Sequence, residues 1–74
     1  MGNPIDEVIG NQLKKIREGR NISVDVLAKH LNVSEDEISK YENGESRISA
    51  SRLFEASRFF DMPVSEFFDG LHDD

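Results

Sequence analysis

The stretch that decides the fold of this 74-residue chain is SVDVLAKHLNVSEDEISKYENG, residues 23–44. Ser23 and Ser34 are good helix N-caps, and each precedes apolar residues that recur at steps of three or four. Asn32 and Gly44, which tolerate left-handed backbone, follow these two runs. The stretch therefore predicts two short helices joined by a turn of three or four residues, which is the spacing of a helix-turn-helix.

Helical periodicity continues on both sides of this pair, and no segment alternates between apolar and polar residues as a strand would. We expect an all-α fold: a compact five-helix domain over residues 1–70 that contains the helix-turn-helix, followed by an acidic frayed tail at 71–74. The predicted helices span about residues 4–19, 24–31, 35–43, 50–60 and 64–69.

The composition argues against several classes of protein. The chain has no cysteine and its two histidines lie far apart, so we expect no disulfide, no metal site and no cofactor. No apolar run approaches the ~18 to 20 residues of a membrane span, and the N-terminus lacks a secretory pattern, so a cytoplasmic protein is expected. We find no nucleophile with a base partner and no phosphate-binding loop, which argues against an enzyme.

The charge balance needs closer inspection, because a net charge of −6 is unusual for a protein that binds nucleic acid. Five of the 15 acidic residues lie in residues 61–74, which contain no lysine or arginine. The remaining residues, 1–60, hold nine basic and ten acidic side chains. The location of the charges is therefore more informative than their sum.

Three segments together resemble the phage-repressor and Cro-type helix-turn-helix family, often called the XRE family. They are IGNQLKKIR at 9–17, ISVDVLAKHLNVSEDEISKYENG at 22–44 and SRLFEASRFFDMPVSEFF at 51–68. The segments NPID, KYENGESRISASRLFE and MPVSEFFDG are most similar to short alphaproteobacterial members. The resemblance implies a five-helix fold, homodimeric binding to palindromic operators in double-stranded DNA, and regulation of transcription.

The resemblance also implies positions that contact DNA. Its base-contacting positions correspond to Glu35, Asp36, Ser39 and Lys40. Its phosphate-contacting positions correspond to Ser23, Asn43, Arg47, Ser49 and Arg52. One departure is Val24, which stands where the family typically has a glutamine that holds a phosphate or a base.

A second departure is the run of acids Glu35, Asp36 and Glu37 at the tip of the predicted recognition helix. A carboxylate can accept a hydrogen bond from the cytosine amino group, but it also meets the negative field of the phosphates. Glu37 is alternatively explained by a capping box with Ser34. The other open reading is therefore a protein-interaction module that has lost or weakened DNA binding. Its acidic face would bind a basic partner protein through Glu35, Asp36, Glu37 and Glu45.

Two further expectations concern structure. Arg17 and Glu42 match positions that form a partly buried salt bridge in this family, tying the first helix to the end of the third. The chain has five phenylalanines, which is more than a small core is expected to hide. Phe67, Phe68 and Leu71 are therefore candidates for a dimer surface, while the alternative is that both phenylalanines close the core beneath the fourth helix.

Overall fold

The computed structural model describes residues 4–69, which form four α-helices followed by one 3₁₀ helix. The all-helical prediction is confirmed for these residues, which contain no strand. The helices are α1 (Pro4–Gly19), α2 (Val24–Leu31), α3 (Glu35–Asn43), α4 (Ala50–Phe59) and the 3₁₀ helix (Val64–Phe68). The tail predicted at 71–74 lies outside the described residues.

Serine caps start three of the helices. Ser23, Ser34 and Ser49 have extended backbones, and each hydroxyl oxygen accepts a hydrogen bond from the amide three residues later. The ends of α2 and α3 are left-handed residues, Asn32 at φ 60° and Gly44 at φ 77°. The helix-turn-helix therefore has a turn of three residues, 32–34, between α2 and α3.

The last predicted helix, over about residues 64–69, is a 3₁₀ helix at Val64–Phe68, so the described residues form four α-helices and one 3₁₀ helix. The amide of Glu66 donates to the carbonyl of Pro63 at 3.1 Å, which is the i to i+3 bond of that geometry. A segment of five residues after a proline is too short to gain much from i to i+4 bonds. The predicted helix over 50–60 also ends one residue earlier, at Phe59.

The core lies where α1 packs on α3 and the 3₁₀ helix, and where α2 packs on α3 and α4. It consists of Ile9, Leu13, Leu27, Ala28, Leu31, Ile38, Tyr41, Leu53, Ala56, Phe60 and Phe67. The backbones of α1 and α3 approach closely at Gly10, where an added Cβ would lie 2.1 Å from the carbonyl oxygen of Tyr41. The absence of a side chain at Gly10 therefore sets the position of α1 against α3.

The phenylalanines are distributed between the core and the surface differently from the sequence prediction. Phe67 is fully buried in the core, which favours the alternative prediction that its ring closes the core and argues against its place in a dimer surface. Phe68 is 38% exposed, and Leu71 lies outside the described residues. Phe54 on α4, which carried no prediction of exposure, is the most exposed large apolar side chain of the described part at 56%.

Candidate nucleic-acid interface

The inner faces of α2 and α3 fix the angle of the helix pair. Ala28 is 3% exposed, which allows the two helices to approach, and Ile38 is fully buried between α3 and the rest of the core. The amide of Val33 donates to the Ala28 carbonyl at 3.0 Å and so closes the end of α2. With its inner face anchored in this way, α3 presents its opposite face to solvent.

That outer face carries the four residues predicted to contact bases. They fall at i and i+4 positions, so they share one side of the helix, and all four are exposed: Glu35, Asp36, Ser39 and Lys40. The side chain of Asp36 is 79% exposed and that of Lys40 is 47% exposed. The structure therefore gathers an acid pair, a hydroxyl and an ammonium group on one accessible surface.

The three consecutive acids of α3 have three different environments. Asp36 forms an ion pair with Lys40, with 3.5 Å between Oδ2 and Nζ. Glu37 donates its backbone amide to the Ser34 hydroxyl at 3.0 Å, and its carboxylate interacts with the Tyr41 phenol. Glu35 makes no hydrogen bond or ion pair with any residue from 4 to 69. The acidic tip is therefore less negative toward DNA than its sequence indicates.

Tyr41 connects α3 to α4. Its side chain is buried on α3, and its phenol lies close enough to Arg52 on α4 and to Glu37 for both to influence its pKa. Burial raises the pKa of Tyr41 above the ordinary value of 10.0, and Glu37 acts in the same direction, while Arg52 opposes them. The Tyr41 phenol therefore lies near both the Glu37 carboxylate and the Arg52 guanidinium.

The first turn of α4 differs in charge from the other helix starts in the described residues. It contains no acidic residue, whereas α1, α2 and α3 all carry acids in their first turns. Its N-cap is Ser49, with Arg47 just before it and Arg52 within the turn. Free amides, the helix dipole and two guanidinium groups are a combination suited to a phosphate.

Each basic side chain among the predicted DNA contacts already has a carboxylate partner in the chain. In each pair the cation is at least partly exposed, and its remaining N–H donors are available to a DNA phosphate. The pairs, with their N to O distances, are Lys40–Asp36 at 3.5 Å, Arg47–Asp6 at 3.1 Å and Arg52–Glu55 at 3.8 Å.

The start of α2 is less suited to a phosphate than the start of α4. The Ser23 hydroxyl accepts from the Val26 amide at 3.4 Å and donates to the Asp25 carboxylate. That hydrogen bond lowers the pKa of Asp25 below the ordinary 3.8, and the carboxylate places a negative charge beside Ser23. Val24 is half-buried against the core, while Asn43, at the last position of α3, is exposed.

The Arg17 guanidinium on α1 is held by three hydrogen bonds. Nε donates to Glu42 Oε2 at 2.7 Å, Nη2 to Glu42 Oε1 at 3.2 Å, and Nη1 to the Ile22 carbonyl at 2.8 Å. The side chains of Arg17 and Glu42 are only 10% and 6% exposed, and their hydrogen bond raises the pKa of Arg17. This pair fixes α1, the end of α3 and the loop before α2 relative to one another.

Within residues 4–69, no three His, Cys, Asp or Glu side chains are placed to hold a metal ion. None of the helices in that range is long and apolar enough to cross a membrane. An open cleft between α2 and α4, lined by His30, Glu55, Arg58 and Phe59, lies apart from the outer face of α3.

Sequence reasoning missed Asp6 and Tyr41 as contributors to this interface. Asp6 lies 41 residues from its partner Arg47, and no local pattern links the two. Tyr41 looked like an ordinary core residue of α3, although a glutamate four residues before a tyrosine is a spacing at which helical side chains meet.

Comparison with known proteins places the chain among helix-turn-helix proteins. The protein-family model described as helix-turn-helix, HTH_3, matches residues 13–67. A Rhodospirillum rubrum protein described as an uncharacterized transcriptional regulator in the ATPase CF(0) region is 34% identical over 67 residues, which cover 90% of this chain and 62% of that protein. An uncharacterized HTH-type transcriptional regulator of Sinorhizobium medicae is 37% identical over 67 residues, 90% of this chain and 48% of its own length.

Solved structures agree with this placement. A crystal structure of an HTH_3 family transcriptional regulator from Vibrio cholerae is 30% identical with a TM-score of 0.79, covering 90% of this chain and 38% of that one. The clp gene regulator ClgR from Corynebacterium glutamicum shares the fold at 20% identity, with a TM-score of 0.83 over 97% of this chain and 99% of that chain. The present chain spans roughly half to three fifths of the curated relatives described above.

Proposed function

Because the chain belongs to the helix-turn-helix family HTH_3, we propose that it binds double-stranded DNA sequence-specifically and regulates transcription in the cytoplasm. The observation that carries this proposal is the exposed outer face of α3, with α4 starting beside two arginines. In this arrangement α3 enters the major groove and the start of α4 binds the backbone. The chain acts without chemistry of its own.

The acidic tip of α3 does not outweigh these features. Asp36 is balanced by Lys40, and Glu37 is engaged with Tyr41, so Glu35 is the acid of the tip that faces the phosphates without compensation. A single exposed charge at the distance of a phosphate is worth about 1 kcal/mol in water, and less with salt. Several phosphate contacts exceed that cost.

The exposed residues of α3 can also distinguish bases by hydrogen bonding to their edges. Carboxylates on α3 accept a hydrogen bond from a cytosine amino group, while the Lys40 ammonium donates to guanine O6 or N7. Ser39 between them can donate or accept. We therefore propose half-sites rich in G·C pairs, in which the acids of α3 contribute selectivity more than affinity.

We propose that two copies of the chain bind one palindromic operator. Two recognition helices in a symmetric dimer must lie ~34 Å apart to enter successive major grooves. Of the predicted dimer residues, Phe68 is the one that is both described and accessible, since Phe67 is buried. An exposed phenylalanine at a two-fold contact would be covered by its symmetry mate.

The first experiment is a selection of bound sequences from a random duplex pool, followed by fluorescence anisotropy on the enriched duplex at several salt concentrations. We expect a palindrome, and an affinity that falls steeply as salt rises. The variant Arg52→Ala should weaken binding to all duplexes and reduce the salt slope by ~1 per subunit, whereas Arg58→Ala, at the far end of α4, should leave both unchanged. The proposal would be contradicted if a folded protein enriched no duplex sequence and showed no salt-dependent binding to DNA. That result would favour a basic protein partner for the acidic face of α3.

A further inference from the structure

We propose that Asp6 is a positioning residue for DNA binding, which holds the Arg47 guanidinium in the orientation that receives a phosphate. This inference rests on the proposed DNA-binding function and extends it to a residue outside the helix-turn-helix. It begins from an asymmetry in the ion pair: the Asp6 side chain is 9% exposed, whereas the Arg47 side chain is 69% exposed. One partner is built into the fold and the other extends into solvent.

The first turn of α1, which carries Asp6, also seats the loop that carries Arg47. A Cβ added at Gly44 would lie 2.6 Å from Glu7 Cγ and 2.9 Å from Glu7 Cα. The end of α3 is therefore packed directly on this turn of α1, and the chain reaches Arg47 three residues later. Backbone packing at Gly44 and the ion pair at Arg47 together fix the path of the loop into α4.

The atoms used in the ion pair leave a donor face on Arg47. Its Nε donates to Asp6 Oδ1 at 3.1 Å. A guanidinium has five N–H donors, and the remaining four are on Nη1 and Nη2, which can together bind a phosphate. Anchoring Nε removes much of the rotamer freedom that a free arginine would lose on binding DNA.

Charge and positioning predict opposite effects when the Asp6 carboxylate is removed. If Asp6 acted only as a negative charge near the DNA backbone, neutralising it would strengthen binding. If Asp6 positions Arg47, the same change weakens binding, because Arg47 must then be ordered by the phosphate alone. The sign of the change in affinity therefore separates the two roles.

The test compares Asp6→Asn with Glu7→Gln, an equal change of charge at an exposed neighbour on the same turn. Both are measured by anisotropy on the duplex selected with the wild-type protein, at a temperature where circular dichroism shows each variant folded. We expect Asp6→Asn to bind roughly three- to tenfold more weakly with a smaller salt slope, and Glu7→Gln to bind equally or more tightly. In an Arg47→Ala background, Asp6→Asn should cause no further loss.

A substitution at the exposed Arg47 gives a second test that does not perturb the buried carboxylate. Arg47→Lys keeps the charge but has a single nitrogen for both Asp6 and the phosphate, so it should also bind more weakly than the wild type. Unchanged or tighter binding of Asp6→Asn, equal binding of Arg47→Lys, or an equal loss in the Arg47→Ala background would each overturn the inference. A wild-type protein that binds no duplex would overturn the proposed function, and this inference with it.

Discussion

The substitution Arg17→Ala should destabilise the protein severely without any direct effect on the outer face of α3. The guanidinium makes three hydrogen bonds, two of them to a Glu42 side chain that is only 6% exposed. Alanine would leave the carboxylate of Glu42 buried without its donors. Removing one partner of a buried pair in this way costs about 3 to 5 kcal/mol.

That loss is large for a chain of 74 residues, whose total stability is expected to be roughly 4 to 11 kcal/mol. At ~4 to 8 °C per kcal/mol, the melting temperature should fall by roughly 12 to 40 °C. The double variant Arg17→Met/Glu42→Leu replaces the pair by apolar side chains of similar volume. It should be more stable than Arg17→Ala, because no charge is then left buried and unpaired.

The assay is urea unfolding followed by far-UV circular dichroism, with midpoint and slope fitted for each variant. Arg58→Ala is the matched control, since Arg58 is an exposed arginine and its loss should change stability by less than ~0.5 kcal/mol. A loss below about 1 kcal/mol for Arg17→Ala would refute the assignment of a buried pair. A double variant no more stable than Arg17→Ala would refute the explanation by an unpaired carboxylate.

Three other expectations follow from the same structure. Gly10→Ala should lower the free energy of unfolding in urea by about 3 kcal/mol or more, because the added Cβ would meet the Tyr41 carbonyl. Gly19→Ala is the control: its Cβ would have nothing within 4 Å, so the free energy of unfolding should change by less than ~1 kcal/mol. Tyr41 is the sole tyrosine, so the phenol absorbance of the folded protein should titrate with a midpoint above pH 10.0, and a midpoint at or below 10.0 would contradict its burial. The protonated phenol contributes stability that is complete below pH 10.0 and is lost as pH rises through the folded pKa of Tyr41. The variant Ser23→Ala should raise the pKa of Asp25 toward 3.8 in an NMR titration, because the hydrogen bond from Ser23 is lost; an unchanged pKa would exclude that bond as the cause. In the wild type this bond gives stability that is present above pH 3.8 and is lost as pH falls through the lower folded pKa of Asp25.

The acidic recognition helix shows how a sequence can mislead about charge. Three adjacent acids look like one repulsive tip, but a helix turns by about 100° per residue and sends their side chains in different directions. Asp36 meets Lys40 one turn later, and Glu37 meets Tyr41. The field at the DNA depends on these pairings as much as on the number of acids.

Local chemistry in the sequence determined the helices and the exposed face of α3. Serine caps at Ser23, Ser34 and Ser49 and left-handed stops at Asn32 and Gly44 act within a few residues, so they can be read without a structure. The i and i+4 spacing likewise placed the candidate base contacts on one side of α3. The sequence pattern predicted a helix after Pro63 but not its type, because α and 3₁₀ geometry differ little over five residues.

Contacts between distant segments were decided only by the tertiary structure. Periodicity shows that a helix has an apolar face, but not which neighbours cover it, so Phe67 is buried while Phe54 is exposed. The seat of α1 on α3 depends on the missing side chain of Gly10, and the pairing of Asp6 with Arg47 joins residues 41 positions apart. These contacts form when whole helices pack together. The packing energy is shared among many side chains from different helices, and a local sequence pattern does not show which of them will meet.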